Sequence, residues 1–273
     1  MMRKGFTLGR SDKSVKTACW IGEKEMSALR KRWILVAALA LIAVASIGIL
    51  YEVAQLQTGG APQEKTLYQL SPFNTFSLGN FEGNTTFADL SKHGNFGIGT
   101  LNGLNGEMIA LSGNFYQIPS TGIPRQINPD EKTPYATITF FNPSQTIQIT
   151  AAMNYSQLTS FINASLPSYN AIYAIEVHGD FDYAKTRSPA MQAKPYPNLT
   201  QALTTQVVFN LNNVTGTAVG FYFPISMDGV DFAGYHLHFL SDDKTAGGHL
   251  LDCTIASATI EIERINSYNL AIP

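Results

Sequence analysis

The sequence predicts a mixed, strand-rich α/β domain behind an N-terminal membrane-spanning helix, and three observations lead there. Beyond residue 66 the apolar residues fall mostly in short runs rich in Val, Ile, Phe, Tyr and Thr, bounded by Gly, Asn and Pro, which is the pattern of strands and turns. Only two stretches of that region, 84–94 and 154–166, carry helix signals instead. Residues 33–51 (WILVAALALIAVASIGILY) hold no charge and are long enough to cross a hydrocarbon layer of about 30 Å.

With 273 residues, 45% apolar and 14% charged, the chain can bury the core of one or two compact lobes. Its net charge of -2 hides an asymmetry, because half of the 18 Lys and Arg residues lie in the first 32 positions. The remainder is not basic, which argues against a nucleic-acid partner. Arg30-Lys31-Arg32 before the apolar run and Glu52 after it orient a single-pass signal-anchor over 33–53, with the leader 1–32 in the cytoplasm and the domain outside. Signal cleavage and secretion is the alternative. Asn-X-Ser/Thr triplets at Asn84, Asn154, Asn163, Asn198 and Asn213 agree with export but do not establish it. Residues 54–66 are rich in Gly, Pro and Gln and read as a linker. Cys19 and Cys253 are the only cysteines and fall on opposite sides of the expected membrane, so neither a disulfide framework nor a four-thiolate metal site is available.

In chain order, ordered structure is expected from Leu67. Residues 84–94 read as a short helix capped by Asn or Thr and ended by Gly94, with His93 as a cation at its last turn. Two Asn-Gly pairs in 95–111 mark tight turns, and on the following strand Glu107 shares a face with Ile109 and Leu111. A carboxylate there either meets water at a strand end or points into a site. Strands follow at 114–118, 135–141 and 146–150, and Leu158, Phe161 and Ile162 define a core-packing helix over 154–166 before Pro167. Strands at 171–177, 207–211, 217–223 and 258–263 dominate the C-terminal half. His178 precedes Gly179 in an expected bend and reads as a solvated or hydrogen-bonded histidine. Arg187 is one of only three arginines beyond the apolar run, the others being Arg125 and Arg264, and its plain reading is a surface charge at a strand end.

The candidate site is the hairpin 234–255. Alternation along a strand puts His236 and His238 on one face, the turn-rich segment 241–248 reverses the chain, and the returning strand can place His249 opposite His238. Three imidazoles with a fourth position open are the catalytic arrangement of zinc. An HxH pair in a strand is weak by itself, and two packed histidines would explain it equally; the third histidine across the Gly-Gly turn is what makes a metal worth considering.

The blocks LYQLSPFN at 67–74, KHGNFGIGTLNGLNGEMIAL at 92–111, TPYATITFF at 133–141, AIYAIEVHGDFDYAKTRS at 171–188 and GYHLHFLSDDKTAGGHLLDC at 234–253 resemble, in this order, the alpha-acetolactate decarboxylase family. The resemblance implies a two-lobed, β-rich α/β fold, divided here at 67–168 and 169–273, and a homodimer. It implies zinc on His236, His238 and His249, with Glu107 as an active-site glutamate and Arg187 as the site arginine. The substrate it implies is 2-acetolactate, converted to acetoin and CO2. Members of that family commonly supply a second glutamate from a tail beyond the last strand, and no residue of this chain is matched to that role. Two other readings stand beside it: a zinc-containing protein that binds small hydroxy or keto acids without turning them over, and a zinc hydrolase.

Overall fold

Two sheets lie face to face in the computed structural model, which describes residues 30–33, 45–46 and 65–272. By its internal contacts the chain divides into Met1–Gln63 and Glu64–Pro273, and the second unit carries both sheets. Among the described residues no helix is long and apolar enough to cross a membrane. The membrane-spanning expectation for 33–53 falls, apart from Trp33, Ala45 and Ser46, outside the described residues, as do the leader 1–32 up to Arg30 and the linker up to Lys65.

The first sheet has seven strands. They are β1 (Thr66–Leu70), β3 (Phe96–Thr100), β4 (Glu107–Leu111), β5 (Asn114–Ile118), β6 (Arg125–Gln126), β8 (Ala136–Thr139) and β15 (Ser267–Ala271), in the order β15-β1-β8-β3-β4-β5-β6. A short pair, β2 (Thr85–Thr86) with β7 (Lys132–Thr133), stands apart from it. The second sheet is built on three long strands, β11 (Ile172–Ser188), β12 (Val207–Phe223) and β14 (Gly247–Ile265), edged by β13 (Gly234–Ser241) and by β9 (Gln145–Ile149) and β10 (Met153–Asn154).

Alternation sorts the side chains into layers. Between the sheets lie Phe96, Ile98 and Ile109 from one side and Phe221, Phe223 and Leu240 from the other. Met108, Ala110 and Ile138 face away, beneath helix α2 (Phe87–Leu90), which is preceded in the chain by α1 (Phe73–Ser77). Helix α3 (Tyr155–Ser165) covers the outer face of the second sheet with Leu158 and Ile162, both almost fully buried against Ile175, Val177 and Ile260. Its start is fixed by a capping box in which Asn154 accepts from the Gln157 amide and Gln157 accepts from that of Asn154, a device that stabilises a helix by about 1 kcal/mol.

The expected division at residue 168 does not follow the sheets. β9, β10 and α3 belong with the second sheet, while β15 returns from the end of the chain to pair in parallel with β1. The expected bend at Gly179 is absent: β11 runs unbroken for 17 residues, with irregularities only past Asp180. Gly179 is there because β14 passes so close that a Cβ would sit 2.2 Å from the Ser257 carbonyl oxygen. The strands expected at 207–211 and 217–223 are likewise one strand, β12, and those at 249–255 and 258–263 are both part of β14. The helix expected over 84–94 shrinks to Phe87–Leu90, capped by Thr86. His93 lies beyond it and stacks on Tyr68, ring centroids 3.9 Å apart, rather than in its last turn.

Candidate metal centre and active site

Register brings the histidines together. On β13, His236 and His238 share the face that looks toward the first sheet, while Leu237 and Phe239 pack into the core on the other side. The loop between β13 and β14 is closed by Ser241, whose hydroxyl accepts from the Thr245 and Ala246 amides and donates to Asp243. That closure sets His238 directly opposite His249. Ring centroids are 5.3 Å apart for His236–His238, 5.1 Å for His236–His249 and 5.3 Å for His238–His249. One nitrogen from each ring lies within 4.8 Å of the others, so the three can hold a metal ion.

Their hydrogen bonding fits that use. Nδ1 of His238 is 2.9 Å from the Met108 carbonyl oxygen, an acceptor only, so it carries the proton and leaves Nε2 with its lone pair. Nε2 of His238 and Nδ1 of His249 are buried with no hydrogen-bond partner, and Nδ1 of His236, also without one, lies 4.0 Å from the Asp231 carboxylate. Leaving buried ring nitrogens without partners is costly in a folded core, and this donor set fits a bound cation. Desolvation holds His238 and His249 well below the usual histidine range, keeping them neutral, the form that binds metal.

Glu107 opens β4 on the opposing sheet and is 6% exposed, which decides between its two readings: it points into the site rather than into water. Its Oε2 is 3.5 Å from Nε2 of His238, and its Oε1 accepts from a guanidinium nitrogen of Arg187 at 3.1 Å. Burial pushes the Glu107 carboxyl up, opposed by the neighbouring Arg187. Arg187 stands near the end of β11, paired in register with His249, and its side chain is 14% exposed. The surface-charge reading of Arg187 therefore fails: it is a wall of the same cavity.

That cavity has a volume of about 170 Å³. Besides the three histidines, Glu107 and Arg187, its walls include Thr100 and Tyr135 and an apolar side made by Phe73, Phe76, Leu104, Leu199, Leu203 and Phe232. None of these was singled out by the sequence. Tyr135 lies in a run that reads as ordinary core strand, and the apolar residues come mostly from helices and loops remote from the histidine hairpin; no local signal marks them. His178 is not part of the site. It is half exposed and pairs with Asp242 at 3.1 Å, as a hydrogen-bonded histidine.

Comparison with known proteins agrees with this geometry. The family described as Alpha-acetolactate decarboxylase matches residues 67–273. The alpha-acetolactate decarboxylase of Methanosarcina mazei is 42% identical over 207 residues, covering 76% of this chain and 72% of that protein. That of Bacillus subtilis strain 168 is 37% identical over 207 residues, covering 76% and 81%. The crystal structure of acetolactate decarboxylase from Bacillus subtilis subspecies spizizenii superimposes with a TM-score of 0.75 at 37% identity, covering 76% of this chain and 90% of that one. Extended over nearly the whole domain and both sheets, these matches show that the chain belongs to the alpha-acetolactate decarboxylase family and is an enzyme of the carboxy-lyase class.

Proposed function

We propose that the chain converts 2-acetolactate to acetoin and CO2, using a zinc ion held by His236, His238 and His249. The observation that carries the proposal is the convergence of three imidazoles, each with a buried nitrogen that has no hydrogen-bond partner, and one Glu107–Arg187 pair on a single small cavity. Zinc is favoured because a set of three histidines with space beside it is the donor set of catalytic zinc. When bound, the cation would supply a Lewis acid beside the ketone and hydroxyl oxygens of the substrate.

The protein's own groups have distinct tasks. Arg187 spends one nitrogen on Glu107 and has further donors on the same planar fork for the substrate carboxylate. Its task is orientation, because clamping the starting acid harder than the transition state would slow the reaction. The C–CO2 bond then breaks, and the electron pair remains on the substrate as an enediolate. Glu107, whose buried carboxyl is pushed up, donates the proton that converts this to acetoin and is reprotonated from water. The apolar wall of Phe73, Phe76 and Phe232 keeps water from the reacting carbon.

The apolar run 33–53 behind Arg30-Lys31-Arg32 supports a membrane anchor that places the domain outside the cytoplasm, with secretion after cleavage as the alternative. The family resemblance supports a homodimer. Purified full-length protein assayed for zinc content and for acetoin released from racemic acetolactate tests the central reading: stoichiometric zinc with acetoin is expected. Zinc without acetoin would favour a binding protein, and zinc with ester hydrolysis a hydrolase.

A further inference from the structure

Asp231 is fully buried, a few residues ahead of β13, and its carboxylate is held in an unusual way. Oδ1 accepts from the Tyr135 hydroxyl at 2.8 Å and from the Phe232 amide at 2.6 Å, and Oδ2 accepts from the Thr137 hydroxyl at 2.8 Å. Both oxygens accept, as an ionised carboxylate does, and every donor is neutral. A buried negative charge satisfied only by neutral donors still requires a positive charge nearby. The basic side chain within 4.0 Å is the imidazole of His236, whose Nδ1 lies 4.0 Å from Oδ1 and has no hydrogen-bond partner. The segment is also fastened on both sides: the Asp231 amide bonds the Met227 carbonyl, and the Val230 carbonyl accepts from the Phe73 amide and from Gln69.

We infer that Asp231 is a positioning residue for the metal centre: it faces Nδ1–H of His236, fixes the tautomer that leaves Nε2 for the cation, and tethers that ligand to Thr137 of β8 and to Tyr135 just before it. A ligating histidine commonly donates its second ring N–H to a carboxylate, which sets ring orientation and strengthens the ligand. Here the same carboxylate reaches into the first sheet, which carries Glu107, so it fixes the spacing between cation and glutamate. This inference rests on the metal reading of the three histidines.

The test is Asp231→Asn in the full-length protein. The amide keeps the carboxylate's shape, and the Thr137 hydroxyl can turn to accept from it, but the charge facing His236 is gone. Zinc affinity, measured by competition with a chromogenic chelator, is expected to fall about 10- to 100-fold, while the metal-free form keeps the far-ultraviolet circular dichroism and melting temperature of its parent. Tyr135→Phe, which leaves the carboxylate in place, is expected to lose much less affinity. Unchanged zinc affinity in Asp231→Asn overturns the inference. Should that variant not fold, 15N-histidine NMR of the unaltered zinc-loaded protein decides: Nδ1 of His236 protonated and hydrogen-bonded supports it, and Nδ1 bound to zinc overturns it. Failure of the unaltered protein to bind zinc at all would instead sink the metal reading on which the inference depends.

Discussion

His238 and His249 face each other across adjacent strands, ring centroids 5.3 Å apart, although eleven positions of chain separate them. Neither ring can move without disturbing the ladder that carries it, so the pair is a rigid half of a three-nitrogen set. His238→Ala removes a ligand whose other nitrogen is already committed to the Met108 carbonyl. Its zinc affinity should fall by more than about 100-fold, beyond what loss of a supporting residue costs, and acetoin production should vanish with it. Metal analysis after gel filtration, alongside the activity assay, checks both.

Glu107 touches His238 and Arg187 without belonging to the three-histidine set. Glu107→Gln keeps the size of the side chain and removes the proton, so zinc content should be retained while kcat drops roughly 10²- to 10⁴-fold, the usual contribution of a general acid. Turnover equal to that of the parent would remove Glu107 from the chemistry.

Much of this site was legible in the sequence, and the reasons are physical. The strict alternation of a strand makes HxH a statement about one face, and a Gly-Gly turn before His249 leaves few registers for the return. Glu107 and Arg187 were legible only through family resemblance, since a carboxylate on an apolar face and an arginine at a strand end each have commoner explanations. The lengths of β11 and β12 were not legible, because glycine reads as punctuation. At Gly179 and Gly216 it instead permits neighbouring strands to approach, a Cβ at Gly216 falling 2.7 Å from the Leu240 carbonyl oxygen. Asp231, which approaches His236, and the apolar wall of the cavity escaped notice because tertiary packing alone brings them there.

Arg187→Lys preserves charge and loses the planar fork. One charge-assisted hydrogen bond is worth about 1.5–3 kcal/mol, so kcat/KM should fall roughly 10- to 150-fold. Zinc content should be unchanged. Steady-state kinetics with acetolactate would reject the role of Arg187 if kcat/KM held.

Removal of metal should make stability depend on pH in a specific direction. His238 and His249 are depressed in the folded protein and titrate near 6.5 when unfolded. As pH falls below about 6.5 the unfolded chain takes up protons that the folded one refuses, so stability present at neutral pH is lost, by up to about 1.4 kcal/mol per pH unit for each histidine. Glu107, raised in the folded state, works the other way over the window between its raised value and the ordinary carboxylate range, but it is one group against two. Thermal unfolding of chelator-treated protein should therefore show a lower midpoint at pH 5.5 than at pH 7. Zinc-loaded protein should sit above both, because a ligand that binds only the folded state stabilises it.

Gly220→Ala and Ile162→Ala separate the stability of the domain from the geometry of the site. Ile162 is fully buried on α3, on the side of the second sheet away from the histidines, so truncation should cost about 2–5 kcal/mol and leave zinc affinity alone. The added methyl at Gly220 would collide with the backbone of His236 itself, so β13 must shift to accept it. Overpacking of this kind costs about 1–3 kcal/mol, comparable to or less than the helix variant. Yet zinc affinity should fall in Gly220→Ala alone, because the strand that moves carries two of the three nitrogens. Paired measurements of melting temperature and chelator competition distinguish the two, and equal zinc affinities at unequal stabilities would show that the ligand set does not depend on the β12–β13 register.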